Sequence, residues 1–351
     1  MGPFLKLLGF VFLILIIAGV CAFLYIRSRI RKFREDISKL MEENMEDLTP
    51  VEIHLVDDGQ GSFSDIKRVS QLSDEFQKLG FVNSGFYSIK EMKDIYISAM
   101  INTEKSVYAA IYEHPAVGVF CDVVADYEDG TSLTVSSMPG GGKVDSMPGN
   151  RKIYKNGANA LELYEAALSN IGDKPLSPVS SDSFREKFEN AYKQETEWRL
   201  LRGGATEDEI RRVAGGMDGE IDEETVSSAK LVMKSKAAFQ LSQVCRNRFI
   251  SDNIITEGRW KARENLLVII HENMNSDEAL FELFSIDGFD PDQETENEML
   301  EIIKNEPSKI AGFERAILIV SEKIKLTKLG EINKPLRAAL WEVDEILDVQ
   351  E

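Results

Sequence analysis

The first apolar pattern along the chain is an uninterrupted run. Residues 7–26 read LLGFVFLILIIAGVCAFLYI and carry no charge. Such a run, at a rise of about 1.5 Å per residue, spans about 30 Å, the thickness of the hydrocarbon core of a bilayer. A cleaved signal peptide would have a shorter apolar region followed by a small-residue cleavage site. The run therefore predicts a transmembrane anchor over residues 1–26.

The charges that flank this run predict its orientation. Lys6 precedes the run, and five cationic residues follow it: Arg27, Arg29, Arg31, Lys32 and Arg34. Lys and Arg are enriched on the cytoplasmic side of membrane spans. We therefore expect a single-pass protein of the cell membrane with its N-terminus outside, its body in the cytoplasm and the lipid bilayer as one partner.

Residues 27–50 keep apolar positions at helical spacing and predict a helical stalk. The positions that alternate three and four residues apart are Ile30, Phe33, Ile37, Leu40 and Asn44. This spacing is typical of a coiled coil and suggests a homodimer formed through the stalk. A single amphipathic helix lying on the membrane or on the body remains the alternative, because two and a half heptads are too few to decide.

Beyond Pro50 apolar residues recur every two residues in some segments, as in strands, and about every 3.6 residues in others, as in helices. A strand near residues 51–55 is followed by a helical stripe at 66–79, paired strands at 95–101 and 107–111, and a helix at 158–170. This order predicts an α+β domain over residues 51–175, in which helices pack on one face of an antiparallel sheet.

Within this domain, VGVFCDVVADYEDGTSLTVSS predicts a hairpin. A three-residue loop that ends at Gly130 places Ala125 opposite Leu133 and Val123 opposite Val135. Polar side chains then occupy the other face, which we expect to be exposed to solvent as in many antiparallel sheets. After the hairpin, SMPGGGKVDSMPGNRKIYKNG has the Gly and Pro content of a long irregular loop, and such loops are often functional.

The segment from Val107 to Tyr164 resembles a group of uncharacterised bacterial proteins. The shared elements are YEHP at residues 112–115, DGTSLT at 129–134 and ELY at 162–164. The resemblance covers about the middle third of the chain. It implies no activity.

Residues 176–351 show helical periodicity throughout and predict an all-α helical domain. Helices are expected near 184–201, 224–249, 257–275, 294–305, 309–328 and 333–348. Thr206 and Glu209 have the spacing of a capping box, which marks the start of another helix.

The net charge of −19 argues against nucleic acid as the main partner, because phosphate binding depends on Lys and Arg. The three cysteines are widely separated and form neither a disulfide pattern nor a metal pair. The three histidines are also too dispersed for a zinc site. The sequence therefore indicates no metal and no cofactor.

The residues with the best potential for catalysis surround the predicted hairpin and loop. They are His114, Asp122, Asp126 and Lys143. Two carboxylates on one strand face can bind a cation or transfer protons, but they also suit a solvated sheet face. Gly140, Gly141, Gly142 and Lys143 lack the spacing of a P-loop, although looser anion binding by this loop stays open.

These observations leave two functional interpretations. The preferred one is a membrane-anchored binding or scaffolding module with a protein partner and no recognisable catalytic set. The alternative is a membrane-tethered enzyme, such as a hydrolase, with its site at the sheet and the Gly/Pro-rich loop. The alternative requires that the four candidate residues converge in one site.

Overall fold

The computed structural model of the chain describes residues 49–59, 61–215, 222–286, 288–334 and 336–347. Contacts divide the chain into two compact units, Met1–Pro50 and Val51–Glu351. Nearly all described residues belong to the second unit. The predicted stalk lies almost entirely outside the described residues, so the coiled coil and the homodimer remain predictions.

The membrane-anchored topology has to be corrected. Among the residues described above, none of the helices combines the length and the apolar character needed to cross a bilayer. The predicted anchor at residues 7–26 lies outside this part of the chain. The single-pass topology and the membrane location are therefore not supported, and the fold is corrected to an α+β body with no transmembrane helix among its described residues.

The first half of the body is a sheet of seven strands in the order β1-β2-β3-β4-β5-β6-β7. The strands are β1 (Leu55–Asp57), β2 (Val82–Ile89), β3 (Met92–Asn102), β4 (Val107–His114), β5 (Gly118–Asp126), β6 (Ser132–Ser136) and β7 (Asn150–Tyr154). Neighbours are antiparallel except β6 and β7, which are parallel. The predicted all-antiparallel sheet is therefore a mixed sheet.

The hairpin of β5 and β6 has the predicted register. Ala125 pairs with Leu133 and Val123 pairs with Val135. Gly130 has a φ of 81°, the left-handed conformation that this loop requires. The match of apolar residues across the hairpin was therefore sufficient to select the register.

Helices cover both faces of this sheet, not one face as predicted. The helices of this half are α1 (Ile66–Lys78), α2 (Ala160–Asn170) and α3 (Ser181–Leu201). On one face, Phe76 of α1 and Leu163 of α2 share a core with Cys121 and Val123 of β5. On the other face, Phe184 of α3 lies in a separate apolar cluster.

Phe184 fixes α3 on this second face. Its ring stacks on Tyr87 at a centroid distance of 5.8 Å and meets Tyr108 edge-on at 5.5 Å. The polar side chains of β5 and β6 share this face. The face that the sequence predicted to be solvated therefore lies partly under a helix.

The second half of the body is not all-α, which corrects the other part of the fold prediction. A second antiparallel sheet has the strand order β8-β10-β9. Its strands are β8 (Leu267–His271), β9 (Ile324–Ile332) and β10 (Ala338–Ile346). The helices of this half are α4 (Glu207–Ala214), α5 (Glu223–Ser251), α6 (Glu257–Arg263), α7 (Ser276–Phe284), α8 (Gln293–Asn305) and α9 (Lys309–Ile319).

Strand β8 and the first two thirds of β10 are buried on both faces of this second sheet. Trp341 of β10 packs with Phe313 of α9 on one face, and Leu340 packs with the α5 side chains on the other. A strand that is buried on both faces has no polar alternation, so its apolar positions also fit a helical period. This ambiguity explains why the helices predicted near 257–275 and 333–348 include β8 and β10. The helix predicted near 309–328 ends at Ile319 as α9, and its last residues begin β9.

Candidate functional site

The four candidate catalytic residues are placed at separate positions. Asp122 and Asp126 lie on one face of β5, but four residues of strand separate their Cα atoms by about 13 Å. His114 ends β4, and its cross-strand partner is Gly118 at the far end of β5 from Asp126. Lys143 lies in the loop between β6 and β7. The described contacts do not join these four side chains into one catalytic group.

Two of the four have local structural partners. The Nδ1 atom of His114 accepts a hydrogen bond from the backbone N–H of Ala116 at 3.1 Å, within the turn that follows β4. The carboxylate of Asp126 forms an ion pair with Lys187 of α3, with an N–O distance of 3.3 Å. These contacts stabilise the turn and the helix packing.

Asp122 has the most perturbed environment of the four. Burial raises the pKa of its carboxyl group to about 6, although hydrogen bonds from Ser136 and Tyr112 and the charge of Lys152 oppose the shift. Its Oδ1 atom is buried and has no hydrogen-bond partner. Asp122 therefore lies in a polar layer between the sheet and α3.

The Gly/Pro-rich loop, residues 137–149, runs beside this polar layer. It connects the parallel strands β6 and β7, and parallel neighbours need a crossover of about a dozen residues or more. The predicted irregular segment of residues 137–157 therefore contains a strand, β7. The loop is long because it has to cross from the end of β6 to the start of β7. The same crossover places the loop over the sheet.

Arginine side chains from α3 and α4 hold the tip of this loop. The carbonyl of Lys143 accepts a hydrogen bond from Nε of Arg212 at 3.0 Å. The carbonyl of Asp145 accepts one from Arg199 at 3.2 Å. The carboxylate of Asp145 pairs with Arg212 at 2.5 Å and lies 3.6 Å from Arg202. We call Arg199, Arg202 and Arg212 the arginine cluster.

Glu209 is the buried carboxylate that binds Arg202 of the arginine cluster. It is 1% exposed, and both of its carboxylate oxygens accept hydrogen bonds from Arg202 at 2.7 Å. The same carboxylate accepts the backbone N–H of Asp145 and that of Thr206. Burial favours a raised pKa for Glu209, but the bonds from Arg202, Thr206 and Asp145 outweigh it and lower the pKa. Glu209 therefore stays ionised and links loop, helix and arginine.

Glu195 of α3 connects the arginine cluster to the polar layer of the sheet. Its carboxylate pairs with Arg199 at 3.0 Å and with Lys152 of β7 at 3.4 Å, and it accepts the backbone N–H of Met147 at 3.4 Å. Lys152 in turn is one of the charges that act on Asp122. Glu195 therefore links β7 and the loop, and Lys152 brings a positive charge near Asp122 of β5.

The sequence placed Lys143 in the Gly/Pro-rich loop but did not predict the arginine cluster. Only Glu209 carried a signal, the capping box with Thr206, which the structure confirms as the start of α4. A capping box does not show that the same carboxylate also binds a distant loop and an arginine. The segment WRLLRGGATEDEIRR, residues 198–212, holds all three arginines, yet their convergence depends on the turn at Gly203 and Gly204.

Other titratable residues serve the fold. Cys121 lies in the apolar core, and burial raises the pKa of its thiol to about 12. His271 is fully buried on β8, and burial lowers the pKa of its imidazole to about 4. Within the described residues, no group of three or more His, Cys, Asp and Glu side chains is arranged to hold a metal ion.

Comparisons with protein-family models, with curated proteins and with solved structures find no match to this chain. The resemblance to uncharacterised bacterial proteins remains a prediction. A functional assignment therefore has to rest on the geometry of the loop and the arginine cluster.

Proposed function

We propose that the chain is a binding module for a protein partner, and that the partner contacts the tip of the Gly/Pro-rich loop. The observation that carries this proposal is the anchoring of the tip by Arg199 of α3, by Arg202 directly after α3 and by Arg212 of α4. Loops that a rigid scaffold positions are frequent binding elements.

The tip presents both apolar and charged groups to solvent. Val144 is 37% exposed, and the flanking Lys143 and Asp145 are at least partly exposed. Protein interfaces commonly have an apolar centre and a polar rim. A protein partner can therefore cover the apolar side chain and pair with the charges beside it. This mixture supports a protein surface as the partner.

The charge distribution supports the same class of partner. The whole chain carries −19, yet Lys143, Lys152 and the arginine cluster lie in or beside the loop region. A long polyanion such as nucleic acid would be repelled by the rest of the molecule. A protein that presents a short anionic segment is attracted to the loop region without this penalty.

Site-specific photocrosslinking tests the proposal. A photoreactive amino acid replaces Val144 in the full chain, and the same amino acid replaces Leu318 of α9 as a control, because Leu318 is 69% exposed and lies in the second half. We expect discrete adducts with a protein from cells of the source organism at position 144, and none at position 318.

Two arginine variants sharpen this test. Arg212→Gln removes one anchor of the loop, whereas Arg211→Gln alters a neighbour of similar exposure that pairs with Glu207 and Glu223 instead. We expect the adduct at position 144 to be lost with Arg212→Gln and retained with Arg211→Gln. An adduct that survives Arg212→Gln, or no adduct at position 144, would refute the proposed binding surface.

A further inference from the structure

Asp145 occupies the centre of the arginine cluster in the manner of a bound ligand. Arg212 pairs with one carboxylate oxygen, and Arg202 approaches the other at 3.6 Å. Arg199 donates to the carbonyl of the same residue at 3.2 Å. Three cationic side chains thus surround one acidic residue, and that residue belongs to a loop without helix or strand structure of its own.

The cluster has donors that Asp145 does not use. The Nε atoms of Arg199 and Arg202 are buried and have no hydrogen-bond partner. A buried donor without an acceptor is costly, because its hydrogen bond to water has been lost. An anion with more acceptor oxygens than a single carboxylate could bind these donors as well.

The local charge also favours an anion. Four cationic groups, Lys152 and the three arginines, face the two carboxylates of Glu195 and Glu209. Without Asp145 these groups leave a net charge of +2, which suits a carboxylate or a phosphate dianion. With Asp145 in place the charge is only partly neutralised.

We propose that the arginine cluster is a binding site for a carboxylate or phosphate group, and that Asp145 fills this site in the free chain as an internal substitute. Arg–carboxylate and Arg–phosphate pairs have the same forked geometry, so one site can accept either group. The inference builds on the proposed function, because the group would be carried by the protein partner. Binding would displace Asp145 and move the tip of the loop.

Trp198 supplies a direct readout of this exchange. The guanidinium carbon of Arg202 lies 4.1 Å from the centre of the Trp198 ring. Inorganic phosphate is titrated into the full chain at pH 7.5 with ionic strength held constant by sodium chloride, and tryptophan fluorescence is recorded. We expect a saturable change that is absent in Trp198→Phe, because the Trp198 ring contacts an arginine of the cluster directly.

Variants of Asp145 test whether this residue occupies the anion site in the free chain. Asp145→Asn removes the competing charge and should tighten phosphate binding by about tenfold, as expected when a site that is mostly occupied becomes free. Asp145→Glu, which keeps the charge, and Ser146→Ala, a neighbouring loop variant, should bind phosphate as the wild type does. Equal affinity in Asp145→Asn and the wild type would overturn the inference.

The location of the site is tested separately. Arg212→Gln should weaken phosphate binding by about tenfold, the loss of one charged partner, while Arg211→Gln should not change it. Phosphate that binds equally to Arg212→Gln and wild type would place the ion elsewhere and would also overturn the inference. Circular dichroism confirms that each variant is folded.

A second readout follows the movement of the loop. Trypsin cleaves after Lys143 only when the loop tip is accessible, and Arg212 holds the carbonyl of that residue. We expect phosphate, or Asp145→Asn, to accelerate this cleavage. Cleavage that is unaffected by either would contradict displacement of the loop. If phosphate does not bind but adducts still form at position 144, the anion site is refuted and the proposed binding module is not. If phosphate binds but no adduct forms at position 144, the binding module is refuted and the anion site is not.

Discussion

Asp122 shows how the environment of one side chain affects the stability of the whole chain. Its carboxyl group lies under α3, and burial raises its pKa from 3.8 to about 6. The folded chain therefore holds this proton more tightly than the unfolded chain does. The consequence is a loss of stability as the pH rises from about 4 to about 6, because ionisation of the buried group is costly.

We predict that Asp122→Asn stabilises the chain at pH 8 by up to about 3 kcal/mol, the free energy that corresponds to the pKa shift. Near pH 4 the difference from the wild type should be small, because Asp122 is then protonated in the folded chain. Urea denaturation at both pH values measures the two free energies of unfolding.

The control for this prediction is Asp173→Asn, which alters an exposed carboxyl group in the same half of the body. It should change the stability by less than about 0.5 kcal/mol at either pH. If Asp122→Asn were as stable as the wild type at pH 8, the buried carboxyl group could not be the cause of the pH dependence.

At the scale of elements, the crossover between β6 and β7 determines the position of the loop. Gly141 lies directly against the ring of Tyr154 on β7, and a Cβ atom at this position would overlap the ring. The backbone of Tyr154 is paired in the sheet, so the overlap has to be relieved by the ring or by the loop. This contact helps to hold the first part of the loop.

We predict that Gly141→Ala destabilises the chain by about 1–3 kcal/mol, the usual cost of an added methyl group in a packed site. In a Tyr154→Ala background the same substitution should cost much less, because the ring that it meets is absent. Thermal unfolding of the four chains of this double-mutant cycle measures the coupling.

A substitution without such a contact is the matched control. Gly258 lies in α6 with open space around its Cα, so Gly258→Ala should be neutral or slightly stabilising. Equal destabilisation by Gly141→Ala in both backgrounds would mean that Tyr154 does not hold the loop.

The elements also show what the sequence alone can predict. The register of β5 and β6 was predictable, because Val123, Ala125 and their partners define one apolar face. Strand β7 was not, because NRKIY is short, largely polar and preceded by Gly and Pro. Its pairing depends on the crossover, which is a non-local property of the sheet.

The same distinction applies to the site. Candidate residues were chosen for their chemistry near one hairpin, and that choice included Asp122 of the polar layer and Lys143 of the loop. Asp145 and the arginine cluster, residues 199, 202 and 212, are far apart in the sequence or separated by a tight turn. Single-sequence patterns carry no information about such convergence, since each arginine alone fits an exposed helix position.

At the scale of the whole molecule, the dominant feature is the net charge of −19. Like charges at this density repel one another and oppose the compact state. Salt screens this repulsion over a Debye length of about 10 Å at 0.1 M. The stability of the chain should therefore depend on ionic strength.

We predict that the midpoint of thermal unfolding at pH 7.5 rises between 0.02 and about 0.3 M sodium chloride, where screening is strongest. Near pH 4.8, the pI of the sequence, the rise should largely disappear because the net charge is close to zero. Differential scanning calorimetry at both pH values measures the effect. A rise of equal size at pH 4.8 would show that salt acts through another mechanism.

Helix α3 contributes to one apolar cluster of the first sheet and to one of the second. Near its start, Phe184 packs among the aromatic rings of the first sheet, and near its end Leu200 belongs to the cluster that contains Leu340 of the second sheet. Arg199 and Arg202 lie beside that end. A helix of this length behaves as a rod of about 30 Å. An event at the loop tip that tilts this rod would consequently be transmitted mechanically to two hydrophobic centres at once.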